Sequence, residues 1–160
     1  MTKLPLFHST VRPEWVDYNG HMSEAFYVLV FGHATDALMI ETGLDSGYRE
    51  STGCSLYTVE SHVRYLQEVP EATHLVIRTR VLGAAARKAR FVHEMYVVSE
   101  PGSEPTPDAA PVATTELLAV HVDQRAGRAA EFPDAVRHRF SELTEPAPSW
   151  AGRSIRAVTA

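Results

Sequence analysis

The run SEAFYVLVFGHATDALMIET, Ser23–Thr42, is apolar at Phe26, Val28, Leu29, Val30, Phe31, Ala34, Ala37, Leu38, Met39 and Ile40. Wound as a helix, those positions fall on nearly every side, and a helix that is apolar all round is a buried one. Ser23 suits the N-cap, Glu24 the positive end of the helix dipole, and Gly43 the C-terminal stop. His33, Asp36 and Glu41 would be too costly inside a bilayer, so the run reads as the core of a soluble fold and no membrane partner is expected.

A buried helix needs a cover, and the residues on either side supply strands. Upstream, Phe7–Val16 has strand composition broken by Pro13, which fits an edge strand or a bent entry. Downstream, Ser55–Gln67, Thr73–Leu82, Arg90–Ser99 and Val112–Asp123 are rich in Val, Thr, Tyr and other strand formers. The order strand, long helix, four strands predicts an α+β domain: a curved antiparallel five-stranded sheet wrapped around the helix. SEPGSEPTPDAAP, residues 99–111, is too rich in proline for regular structure and reads as an exposed loop. After a turn in QRAG, a short helix is expected from Pro133. The domain is expected to span 1–145, with 146–160 a tail that Trp150 helps to dock.

At 160 residues the chain suits one domain with a real core and no need of structural metal. A net charge of -5 and a pI near 5.9 argue against bulk nucleic-acid binding. Cys54 is the only cysteine, which excludes an intrachain disulfide, and the opening MTKLPLFHST has no apolar signal region, so a cytoplasmic location is expected. Neither H-E-x-x-H nor a zinc-type Cys/His spacing occurs, and neither a phosphate-binding glycine loop nor a G-x-S-x-G elbow. No metal and no cofactor are expected.

The segment just ahead of the helix, WVDYNGHMSEAFY, sets Asp17 three residues before the pair Gly20–His21. As a cap Asp17 is made redundant by the nearer Ser23, so two readings stand: an Asx turn, the common fate of such aspartates, or a carboxylate used in chemistry. The pattern D-x-x-G-H followed by an apolar residue, here Asp17, Gly20, His21 and Met22, resembles that of the hotdog-fold acyl-CoA thioesterases of the 4-hydroxybenzoyl-CoA thioesterase-like family. Tyr27 also matches, YTVESHVRYLQEV and ATHLVIRTRVLG resemble the family's second and third strands, and GRAAEFPDAVRHRF its closing segment. The chain departs from the family at Trp15, where many relatives carry a second aspartate, and at Ser23 and Glu24, where they carry paired asparagines. The wording DYNGHMSEAFY is most similar to thioesterases of carnitine breakdown, whose proposed substrate is betainyl-CoA.

The resemblance implies an acyl-CoA substrate and a homodimer or homotetramer. It also implies a role for each motif residue. Thioester hydrolysis requires a nucleophile or an activated water, and donors where charge develops on oxygen. Asp17 would be the base or nucleophile, and the helix N-terminus, with the N–H groups near Met22, Ser23 and Glu24, would supply the donors. Gly20 would permit the tight turn between them. His21 either orients Asp17 or the substrate, or simply bonds backbone. Trp15, Tyr18 and Tyr27 either pack in the core or face a trimethylammonium group, which has no N–H to donate and is held by aromatic faces.

Period-two alternation in YTVESHVRYL puts Tyr57, Val59, Ser61, Val63 and Tyr65 on one face and Thr58, Glu60, His62 and Arg64 on the other. Glu60 and His62 belong either to a solvated or subunit-contacting face or to the active cleft. Arg87, Lys88 and Arg90 form either an ordinary solvated turn or a seat for coenzyme A phosphates. Two other functions fit the same residues: a hotdog dehydratase or hydratase, whose principal base is usually a histidine, and a non-catalytic acyl-CoA-binding module in which Asp17 is structural.

Overall fold

The structure, a computed structural model, describes residues 3–159. Along the chain run β1 (Phe7–Thr10), a 3-10 turn (Pro13–Trp15), α1 (Glu24–Glu41), α2 (Ser46–Thr52), β2 (Cys54–Tyr65), β3 (His74–Ala84), β4 (Lys88–Val98), β5 (Ala113–Asp123), a two-residue β6 (Arg128–Ala129) and α3 (Asp134–Leu143). Every strand pair is antiparallel, in the order β1-β3-β4-β5-β2, with β6 added to β5. The four long strands start and end close to their expected bounds. β1 stops short at Thr10, because Pro13 has no N–H for a ladder and instead opens the 3-10 turn. Among the described residues no helix is long and apolar enough to cross a membrane.

The sheet curls around one side of α1. Tyr27, Val30, Phe31, Ala34, Leu38 and Met39 are buried, and they meet Leu75, Ile77, Met95 and Ala113 at one end and Val81, Phe91 and Leu117 at the other. α3 closes the second end with Val136, Phe140 and Leu143 on its buried face. The helix is not covered all round, as its composition suggested. Ala25, Val28, Leu29, Gly32, His33, Asp36 and Ile40 form a stripe open to solvent, with Ile40 63% exposed. A five-stranded sheet of one chain reaches only one side of a helix, so the other apolar side waits for a different cover.

Two buried histidines pin these layers. His93 of β4 lies between α1 and β3, its ring nitrogens 2.9 Å from Thr35 Oγ1 and 2.8 Å from Thr79 Oγ1, stacked on Phe31. Its burial is complete and lowers its pKa to about 3. His121 of β5 sits 2.9 Å from the Ala130 carbonyl through Nδ1 and 2.8 Å from Tyr48 Oη through Nε2. Tyr48 belongs to α2, a helix that composition did not reveal: it is only seven residues long and is started by the Asp45 carboxylate accepting from the Tyr48 N–H at 2.8 Å.

β2 carries a bulge between Thr58 and Glu60, leaving Val59 outside the register with β5. The extra residue resets the alternation. Tyr57 therefore shares the convex face with Glu60, His62 and Arg64, while Thr58 joins Ser61, Val63 and Tyr65 on the concave face. That reverses the face assigned to Tyr57 and Thr58 by simple period-two reading.

Beyond α3 the chain turns back over the convex face. The Glu145 N–H donates to the Val81 carbonyl at 2.9 Å, and its carboxylate lies 3.1 Å from Arg78 and 3.5 Å from Arg80. Further on, the Gly152 N–H donates to the Glu116 carboxylate at 2.8 Å. Residues 99–111 form a largely exposed loop, tethered where Ala109 packs against Val76 and Tyr96.

Candidate active site

The motif ahead of α1 folds as a closed turn. The Gly20 N–H donates to the Asp17 carbonyl at 3.0 Å and the Asp17 N–H to the His21 carbonyl at 3.3 Å, with a bridge between Val16 and Met22. Gly20 has φ +82, a left-handed conformation that a side chain would strain. Asp17 makes the Asx turn, with Oδ1 accepting from the Asn19 N–H at 2.8 Å. The turn fixes the carboxylate while Oδ2 has no partner among the described residues, so the structural and the chemical readings of Asp17 are compatible.

The helix N-terminus differs from expectation in its donors. The Met22 N–H is bonded to the Val69 carbonyl at 2.8 Å and the Ser23 N–H to the Trp15 carbonyl at 2.9 Å. Both are consumed because the motif pairs with its neighbours before the helix begins. The free donors are one step further on, at Glu24 and Ala25, the first two residues of the α1 region, which take no acceptor among the described residues. Ser23 stands at the N-cap position, yet its hydroxyl makes no capping bond.

A cleft of about 590 Å³ opens here, lined by Asp17, Tyr18, His21, Ser23, Glu24, Tyr27, Tyr65 and Glu68 among others. Its charges are carboxylates: Asp17, Glu24 and Glu68, with no Lys or Arg in the lining. His21 Nε2 lies 3.1 Å from a Glu68 carboxylate oxygen, so it is engaged by Glu68 and not by Asp17. Tyr27 and Tyr65 meet edge to face at 5.2 Å, Tyr27 donating to the Gln67 carbonyl at 3.1 Å. Burial, then the charge of Glu68, raises the Tyr27 pKa, and burial, then Glu24, raises that of Tyr65. Both phenols therefore remain neutral donors at neutral pH.

Not every expected residue comes to this cleft. Trp15 is buried on the far side of the turn, stacked on Phe26 at 5.7 Å with Arg12 over its ring. Tyr18 is at the rim, 96% exposed. Glu60 and His62 lie on the convex face beside Arg90 and Glu116. Arg87 is 3.8 Å from Glu131, Arg90 is paired with Glu116 at 2.6 Å, and Lys88 is exposed. Arg87 just precedes β4 and Lys88 and Arg90 begin it, whereas the cleft adjoins the Met95 level of that strand through Ala113 and Tyr65, roughly 17–26 Å away along it. Conversely, Tyr65 and Glu68 reach this cleft from some fifty positions beyond Asp17, and nothing local in the sequence marks them as its neighbours.

Another hollow, of about 710 Å³, lies between β1 and α1 and contains His8, His33 and Glu71. These side chains make no hydrogen bond or ion pair with one another.

Residues 11–140 match the model of the thioesterase-like superfamily. The chain belongs to that superfamily. It is 40% identical over 157 residues, 95% of this chain and 94% of the other, to a betainyl-CoA thioesterase of Pseudomonas aeruginosa. It is also 42% identical over 97% of its length to an L-carnitine dehydrogenase/betainyl-CoA thioesterase of Agrobacterium fabrum, of which it covers 31%. Among solved structures, a candidate thioesterase of Pseudomonas putida is 31% identical, with a TM-score of 0.78 and coverage of 99% of both chains. A Staphylococcus aureus protein in complex with CoA has the same fold, with a TM-score of 0.84 at 21% identity over 99% of this chain and 98% of that one. The fold of this thioesterase is thus a hotdog domain, and its chemistry is thioester hydrolysis.

Proposed function

We propose that this chain hydrolyses betainyl-CoA to free betaine and coenzyme A. The observation that carries the reading is the cleft at the start of α1, where three carboxylates and tyrosine faces meet without one Lys or Arg. A trimethylammonium group is a cation that cannot donate a hydrogen bond, and it is held by negative charge and ring faces. The likeness to two betainyl-CoA thioesterases supports the same substrate.

In this mechanism the Asp17 carboxylate acts as the base that takes a proton from water or as the nucleophile that attacks the carbonyl carbon. The oxygen gains charge beside the N–H groups of Glu24 and Ala25 at the positive end of α1. The carbon–sulfur bond then breaks. With Asp17 as base, the thiolate leaves with the proton that Asp17 took from water. With Asp17 as nucleophile, its departure leaves an acyl-aspartyl anhydride, which water then hydrolyses to betaine and the free carboxylate, releasing the proton that the thiolate takes up. Tyr65 faces the cation, the buried Tyr27 backs it edge to face, and Glu68 provides negative charge beside it.

The test compares betainyl-CoA with its neutral isostere, in which tert-butyl replaces trimethylammonium. kcat/KM is expected to favour the cation by about tenfold, one well-placed cation–π contact plus the acidic surroundings. Glu68→Gln and Tyr65→Leu should each reduce that preference. A preference for the neutral analogue would remove the cation site and leave a general short-chain acyl-CoA thioesterase.

The reading includes a homodimer, or a tetramer of two dimers. β2 ends the sheet with an unpaired outer edge twelve residues long, and exposed Tyr57, Val59 and Tyr65 lie along it. Such an edge invites pairing with another copy. Sedimentation should give a dimer or tetramer, and a fully active monomer would count against it. We take 1–145 as the catalytic domain and 146–160 as an appended tail, in a cytoplasmic protein, which suits a coenzyme A substrate and the single free cysteine, Cys54.

A further inference from the structure

We infer that the C-terminal tail forms the seat for the phosphates of the coenzyme A nucleotide, using Arg153 and Arg156 together with Arg64 and His62 of β2. The inference rests on the acyl-CoA reading above. These four residues, with Val63, Ser154 and Ile155, line a groove of about 470 Å³. Its lining holds three guanidinium groups and no carboxylate, in a chain whose net charge is -5. None of the three takes part in an ion pair among the described residues, unlike Arg87 and Arg90, which are engaged by Glu131 and Glu116.

The groove is held by anchors that leave its arginines free. The Glu116 carboxylate binds Arg90 at 2.6 Å and the Gly152 N–H at 2.8 Å, fixing the tail one residue before Arg153. Gly152 has φ +76, so the chain turns sharply at this point. The earlier anchor, Glu145, holds the beginning of the tail against β3. Arg153 and Arg156 are exposed beside the half-buried Arg64.

Position relates the groove to the catalytic cleft. His62, Val63 and Arg64 line the groove, and the next residues, Tyr65, Leu66 and Gln67, line the cleft. From His62 to Gln67 the chain spans roughly 17 Å, a distance that the pantetheine arm can cover round the end of β2. The substrate itself is dipolar, a cation at the acyl end and phosphates at the nucleotide end. The protein presents carboxylates at one end of the path and guanidinium groups at the other, and Arg is the side chain best shaped for phosphate.

The double variant R153A/R156A tests this, assayed on betainyl-CoA and on the betainyl ester of N-acetylcysteamine, which lacks the nucleotide. Its KM for the coenzyme A ester should rise about tenfold or more at low ionic strength, with kcat kept and the KM for the short ester unmoved. The difference from wild type should shrink with added salt. Inhibition by 3′,5′-ADP should weaken in parallel, and more than any inhibition by inorganic phosphate. An unchanged KM for the coenzyme A ester, or an equal rise for both esters, overturns the inference. If wild type hydrolyses neither ester, the catalytic reading fails, and calorimetry of coenzyme A binding to the two proteins then decides the groove alone: weaker binding by the double variant supports it, equal binding overturns it.

Discussion

Asp17→Asn is expected to lower kcat for acyl-CoA hydrolysis by about 10²–10⁴-fold, the usual cost of losing a general base, without changing the melting temperature. The two outcomes separate because the proposed chemical role of Asp17 is distinct from its place in the turn. Its Oδ1 accepts the Asn19 N–H at 2.8 Å, and an asparagine side-chain oxygen accepts the same bond, so the Asx turn and the closed loop to His21 survive. The amide is neither a base nor a useful nucleophile, so the chemical role is lost. Wild-type turnover in a folded variant would show that Asp17 serves only the turn and that the catalytic group lies elsewhere. Loss of activity with a lowered melting temperature would call for Asp17→Glu, which retains a carboxylate but displaces it. That variant should recover stability less than activity if chemistry is the main role.

The second large effect concerns acid stability and arises from His93. Its folded-state pKa, about 3, lies below the ordinary value of 6.5 because burial penalises the charged ring. As pH falls below about 6.5, the unfolded chain binds a proton here that the folded chain does not, so stability is present above that pH and declines below it. Between pH 7 and pH 4.5 this one group should remove about 2–3 kcal/mol of folding free energy. Thr35 and Thr79 flank the ring on both nitrogens, and neither hydroxyl can stabilise an added charge as a carboxylate would. Denaturant unfolding across that pH range should show the loss, and His93→Gln should show correspondingly less, whatever its stability at pH 7. An equal slope in the two proteins would mean that other groups carry the acid sensitivity. The aromatic contact between His93 and Phe31 ties α1 to the sheet, so the loss should involve the whole domain and not a local opening.

Much of this protein was legible in the chain. The apolar run Ser23–Thr42 specified a central helix, the four Val- and Thr-rich runs specified strands close to their observed bounds, and their order specified an antiparallel sheet laid against that helix. The position of Asp17 before Gly20 and the helix was equally local, because a turn and a helix start are encoded in consecutive residues. Other features were decided by pairing across distance. A bulge at Val59 exists only relative to β5, and it moved Tyr57 to the face of Glu60. Met22 and Ser23 lost their free N–H groups to Val69 and Trp15, contacts that no spacing announces. The open stripe on α1 shows the limit of composition, since an apolar residue states that it prefers cover and not which element will provide it. The cleft was completed by Tyr65 and Glu68, and the convex groove by Arg153 and Arg156, each brought in by the fold from distant positions. Periodicity along a chain determines its elements, whereas strand register and the path of the return segments determine which side chains share a site.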